Sequence, residues 1–237
     1  MASSNLTSKA GILLRQCLAA QKKNVRLFHG KPIIEWVIDA ALRSKLFKKV
    51  IVSTDSEEIA NLSNSAGAET PFRRPKKLSG DDIGLRDVVN HAIYEIEKGK
   101  TNFDKVTMLY ATAPFVSCDS ISKSLKAIKN YDFSVSVCAY SHPIERALRF
   151  SDENQLLEMI SKENYTSRSQ DLGQYFHDIG QFVSGTKDAW KTKIPFVSGR
   201  TSGIVMPKFL SQDIDSEDDW IEAEIKFSVL KARGLLK

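Results

Sequence analysis

The feature that most constrains this chain is its alternation of apolar runs with helical periods. "AGILL" (10–14) reads as a short buried strand, and "KPIIEWVIDAALRSKLF" (31–47) puts Ile33, Val37, Ala40 and Ala41 on one helical face. "KKVIVSTD" reads as a second buried strand, whose Asp55 can cap a helix over "SEEIANLSNSAG" that Gly67 ends. A further cycle follows, with a helix at 88–97, a strand "DKVTMLYA" (104–111), a helix at 120–130 and a strand "DFSVSVCAY" (132–140). Strands alternating with helices imply a mainly parallel sheet covered on both faces, a three-layer α/β/α sandwich whose ligands sit at the carboxyl ends of the strands. The loops "STDS", "YATAPF" and "AYSHPIERA" are therefore the first places to seek a site. From about 140 to 190 the rhythm breaks into polar, aromatic, Arg-rich sequence. That stretch reads as an excursion, a lid or dimerisation arm, from a single domain spanning 1–237. A last helix, about 218–233, is expected to pack back on the sheet.

Charge and cysteine usage narrow the partners. The net charge of +5 is uneven: the first fifty residues hold ten Lys/Arg against Glu35 and Asp39, while 211–225 is wholly acidic. A basic region and an acidic one can cradle a phosphate and its metal from opposite sides. The cations are scattered, with no basic helix or aromatic platform, so nucleic acid is not the expected partner. Cys17, Cys118 and Cys138 are odd in number and far apart, which predicts reduced thiols and a cytoplasmic setting. No apolar run approaches a membrane span.

The acidic run "QDIDSEDDWIEAEIKF", opening at Gln212, has two layers of meaning. Glu217, Asp218 and Asp219 suit the first turn of a helix capped by Ser216 or Asp215. Asp213 and Asp215 come earlier. If that piece is extended, both point one way and Ile214 points into the core, so two carboxylates converge as a hard cation such as Mg²⁺ requires. A solvated helix start and a metal site both remain open on spacing alone.

The chain has no Walker loop, no G-x-G-x-x-G and no G-x-S-x-G, and His29, His91, His142 and His177 show no metal spacing. An α/β sheet with cationic loops and a late Asp-x-Asp pair fits nucleotidyl transfer, which depends on positioning and charge neutralisation. The run "KNVRLFHGKPIIEWVIDAAL", "VIVSTDSEEIANLSNSAGAETPFRRPKKLS", "YATAPF", "TSRSQDLGQYFHDIGQF" and "QDIDSEDDW" resembles the cytidylyltransferases that activate nonulosonic, sialic-type acids. "YATAPF" and "RSQDL…HDIGQF" are nearer to the branch acting on pseudaminic acid than to the one acting on N-acetylneuraminate. The resemblance runs from Lys23 to Trp220.

What the resemblance implies is a Rossmann-like nucleotide-diphospho-sugar transferase fold, homodimeric, converting CTP and a nonulosonic acid into the CMP-sugar and pyrophosphate with Mg²⁺. It makes Asp213 and Asp215 the metal ligands and places Lys23, Asn24 and Arg74 on the nucleotide. It puts Arg168 on the sugar, with Gln170 nearby and Tyr110 at its border. His177 and Asp178 are candidates for a general-base pair or a structural one, and Arg74 has a surface ion pair with Asp81 or Asp82 as its alternative. One stretch departs from the family. Where relatives carry a glycine-rich phosphate loop, this chain reads "LLRQCLAAQK", with no glycine to let backbone approach phosphate. Either Arg15, Lys22 and Lys23 take over the triphosphate, or the chain is an impaired homologue that binds without turnover, or its opening residues are not the native ones.

Overall fold

A computed structural model describes residues 10–15, 21–80, 82–151 and 156–236, with backbone alone at 10–15, 21 and 22. The chain opens with β1 (Ala10–Arg15), α1 (Gln21–Val25) and a small ribbon of β2 (Leu27–Phe28) and β3 (Lys31–Pro32). Then come α2 (Ile33–Ser44), β4 (Phe47–Ser53), α3 (Glu57–Ser65), α4 (Leu85–Lys98), β5 (Lys105–Tyr110), α5 (Cys118–Ala127) and β6 (Phe133–Ala139). A hairpin of β7 (Leu148–Phe150) and β8 (Leu157–Met159) precedes β9 (Phe176–Thr186), α6 (Lys187–Lys191), β10 (Thr201–Val205) and α7 (Glu217–Ala232).

Six strands form one sheet in the order β10-β6-β9-β5-β1-β4. All neighbours are parallel except β9, which runs antiparallel between β5 and β6. On one face α2, α3 and α5 bury Ile34, Val37, Ile59 and Ile121 against Val50, Val52 and Leu109. On the other, α4 and α6 bury Val89, Ile93 and Trp190 against Ile51, Val106 and Met108. The expected three-layer sandwich is therefore formed, and the apolar stripe read in α2 is its buried face.

Three expectations need correction. Asp55 does not cap α3; Ser56 does, its hydroxyl accepting from Ile59 N–H at 3.4 Å, because the cap must be the last extended residue before the turn. The excursion is shorter than 140–190, since β9 is an eleven-residue strand in the middle of the sheet and α6 packs beneath it. Only about 141–175 leaves the layers. Finally, α7 does not pack on the sheet. Its Trp220, Ala223, Phe227 and Leu230 bury against Phe28 of β2, Ile33 of α2, and Phe115 and Ile214 in the segments after β5 and β10.

Candidate active site

Strand register assembles one edge of the sheet. Arg15 at the end of β1 lies opposite Ser53 at the end of β4 and Tyr110 at the end of β5. Being antiparallel, β9 starts at this edge, with His177 opposite Cys138 and Asp178 opposite Val137 of β6. After β10 the chain returns to lay Asp213 against Gly180 of β9.

The Asp213–Asp215 segment has the alternation expected of it. Ile214 is 2% exposed inside the third core, while both aspartates are exposed. The segment's backbone is gripped from several sides. Lys226 of α7 donates to Ser211 O at 3.1 Å and to Gln212 Oε1, Gln212 Nε2 donates to Asp213 O at 3.2 Å, and Gln181 of β9 donates to Leu210 O. Lys23 of α1 donates its ammonium to Ile214 O at 3.2 Å and to Asp215 O. Beyond it, Ser216 and Asp219 form a capping box for α7, and Asp219 Oδ2 also accepts from Asp215 N–H at 3.1 Å. Glu217 takes a bidentate bond from Arg26, at 2.6 and 2.7 Å. The acids after Asp215 are thus occupied in starting a helix, as the sequence suggested.

Asp213 differs from them. Desolvation of its carboxylate, then repulsion from Asp215 and more weakly from Asp178 and Asp219, raises its pKa, against a bond from Ile214 N–H that lowers it. Among the described residues neither Asp213 nor Asp215 is in a salt bridge. Two neighbouring carboxylates that repel each other and form no salt bridge among the described residues are a donor pair that fits a hard divalent cation, which would relieve the repulsion between them.

Nearby elements carry buried polar side chains, two of them with an atom that has no hydrogen-bond partner among the described residues. Asn24 is 1% exposed, and its Nδ2 has no hydrogen-bond partner among the described residues; the same holds for the Ser53 hydroxyl, fully buried at the end of β4. Buried donors are rarely left so, and a ligand supplying acceptors fits them. Arg74 is 3% exposed, with Nε 3.3 Å from Ser79 Oγ and a terminal nitrogen 3.4 Å from Asp55 Oδ1. Its backbone N–H bonds Thr54 O, which ties it to the end of β4. Arg74 is thus ion-paired with Asp55, a partner the sequence did not suggest, while Asp81, one of the two considered for it, lies outside the described residues.

A family profile described as cytidylyltransferase matches residues 21–223. The chain belongs to the cytidylyltransferase family. It is 37% identical to the pseudaminic acid cytidylyltransferase of Campylobacter jejuni over 88% of this chain and 90% of that one. It is 28% identical to the N-acylneuraminate cytidylyltransferase of Escherichia coli O18:K1:H7, over 84% of this chain and 47% of that one. The solved structure of CMP:2-keto-3-deoxy-manno-octonic acid synthetase complexed with CTP superposes with a TM-score of 0.64 at 13% identity, covering 94% of this chain and 99% of the other.

Other expected residues of this cytidylyltransferase stand apart. Arg168 is exposed and forks onto Asp171 at 2.8 and 3.2 Å, and Gln170 lies in the same short turn of the excursion. No described contact joins either to Asp213. His177 and Asp178 do not form a side-chain pair. The imidazole Nδ1 is 2.9 Å from the Asp178 carbonyl and its ring lies 4.9 Å from Tyr140, because successive strand residues face opposite ways. Tyr110 is half-buried, packed against both sheet cores. The side chains of Arg15 and Lys22 and residues 16–20 lie outside the described residues. A cleft of about 230 Å³ between α2 and α7, lined by Trp36, Arg43, Phe115, Phe227 and Lys231, includes none of the expected residues. Sequence reasoning did not assign Asp178 and Gly180 to the carboxylate site, although a glycine inside a strand pattern is a signal for a bulge.

Proposed function

We propose that the protein transfers the cytidylyl group of CTP to a nonulosonic acid, pseudaminic acid foremost, giving the CMP-sugar and pyrophosphate. The observation that supports this reading best is that Lys23 holds the Asp213–Asp215 segment by its carbonyls, with buried Asn24 next to it in sequence and buried Arg74 tied to the end of β4. The similarity to pseudaminic acid cytidylyltransferase over most of both chains supports the choice of acid. In the reaction the sugar's anomeric hydroxyl attacks the α-phosphorus. The new P–O bond forms as the bond to the β-phosphate oxygen breaks, pyrophosphate leaves, and the hydroxyl proton passes to solvent.

Asp213 and Asp215 would hold Mg²⁺, whose charge offsets that of the phosphates. Lys23 orients the Asp215 segment and adds a cation beside it, Asn24 and Arg74 bind the nucleotide, and Arg15 contributes a cation from the end of β1. Arg168, Gln170, His177 and Tyr110 form the sugar side, with Arg168 releasing Asp171 to fork onto the acid's carboxylate. The β7–β8 hairpin supplies a homodimer contact: Leu148, Phe150 and Leu157, with Ile160 just after it, are each more than half exposed and offer apolar surface to a second copy. Among the described residues no helix is long and apolar enough to cross a membrane. The unpaired Cys118 and Cys138 suit a reducing cytoplasm.

The test is pyrophosphate release from CTP and Mg²⁺ with pseudaminic acid, N-acetylneuraminic acid or no acid, with and without EDTA. Release that needs pseudaminic acid and stops with EDTA is expected. Folded protein that releases nothing with either acid overturns the reading and favours a non-catalytic sugar-binding homologue, as the absence of glycine from "LLRQCLAAQK" would explain.

A further inference from the structure

We infer that Asp178 is a positioning residue for Asp213, acting through Gly180; the inference rests on the reading of Asp213 as a metal ligand. Regular pairing of β9 with β6 fails at this point. Val135 pairs with Val183, but Val137 pairs with Asp178, so residues 179–182 bulge against the single residue Ser136. The Ser136 hydroxyl satisfies one end of the bulge, accepting from Gln181 N–H at 3.2 Å and Phe182 N–H at 3.1 Å. Asp178 satisfies the other, its Oδ1 accepting from Gly180 N–H at 2.9 Å.

That bond closes a local turn in which Gly180 takes φ +60, a conformation open to glycine without penalty. The turned backbone is what Asp213 rests on. A Cβ on Gly180 would lie 3.0 Å from Asp213 Oδ1 and 3.2 Å from its Cγ, so any side chain there would displace the carboxylate. Asp213 is thereby fixed from two sides, by the bare face of Gly180 and by Ile214 N–H bonding Oδ1 at 3.1 Å. Bulges beside sites commonly re-aim groups in this way. Asp178 is exposed, so its replacement leaves the core untouched.

The test measures Mn²⁺ binding to the folded chain by electron paramagnetic resonance, with melting temperature as the control for folding. Asp178→Ala and Gly180→Ala are each expected to weaken Mn²⁺ binding by about tenfold or more, as supporting residues of metal ligands do. Asp178→Asn, whose amide oxygen can accept the same bond, is expected to stay within about threefold of the parent. Unchanged binding by Asp178→Ala overturns the inference. So does an Asp178→Asn variant as weak as Asp178→Ala, since loss of charge alone marks a direct ligand. Asp213→Asn separates the two levels: if it binds Mn²⁺ as the parent does, the metal reading fails and the inference with it.

Discussion

Single residues at the edge do more than one job, and Arg74 is the clearest case. Its guanidinium is buried beside Asp55 and Ser79, and it is also the arginine proposed to bind the nucleotide. Arg74→Ala should destabilise the fold by ~1–3 kcal/mol, the cost of leaving a largely buried polar partner unmatched. It should also raise KM for CTP by about tenfold, the equivalent of one lost charge-assisted bond; thermal melts and steady-state kinetics check the pair. His91 gives a pH test. Burial first, then the cations of Lys98, Arg74 and Lys77, lower its pKa against the opposing pull of Glu95. A depressed value means that the unfolded chain takes the proton first, so stability held above the ordinary histidine pKa of about 6.5 is lost as pH falls from there through the folded value. His91→Gln should flatten that decline in melts across this window; an unchanged slope would assign it to other groups. The two aspartates flanking Ile214 were legible in sequence because period-two alternation survives in a short extended piece. Asp55 was misassigned because Ser56, next to it, is as good a cap and sits one residue nearer the turn.

Among the elements, α7 and β9 departed furthest from what their sequences suggested. The α7 helix carries apolar residues, but they face β2, the start of α2 and the segment after β5 rather than the six-stranded sheet. Phe227 meets Phe28 at 5.1 Å and Trp36 at 4.6 Å between ring centroids. Phe227→Ala should cost ~3–5 kcal/mol by opening that cluster. It should also weaken metal binding, since Lys226 beside it grips the Asp213 segment; calorimetry with and without Mn²⁺ reads both. The β9 strand hid in a polar stretch for a physical reason. Its Ser184 is buried in a row of hydroxyls, bonding Thr107 at 2.8 Å and Ser124 at 2.6 Å, with Ser134 another 2.7 Å beyond Ser124. Satisfied hydroxyls make a buried strand look like a loop. Strands β1, β4, β5 and β6, each built on an apolar run, were readable within about two residues, whereas β10 and the short β2, β3, β7 and β8 were not read. The residues proposed for the sugar side rest on resemblance alone, since no period or spacing marks Arg168 or Gln170.

For the molecule as a whole, the uncovered hairpin is the feature most in need of a partner. Phe150 is 65% exposed and Leu157, paired with it across the hairpin, 60%. The parent should sediment as a dimer at micromolar concentration, and Phe150→Glu as a monomer. A monomeric parent would remove the arm from the assembly. The position of β9 bears on how the chain is made. The strand sits between β5 and β6 yet is encoded after both. A nascent chain that has emerged only as far as β6 therefore holds a three-stranded piece, β4-β1-β5, and a lone β6, with nothing to bridge the edges of β5 and β6. Those edges stay open to other chains until residue 186 is free of the ribosome. Slow translation through the excursion would prolong that exposure, so this protein's yield in a cell depends on elongation speed over a stretch that adds nothing to its core.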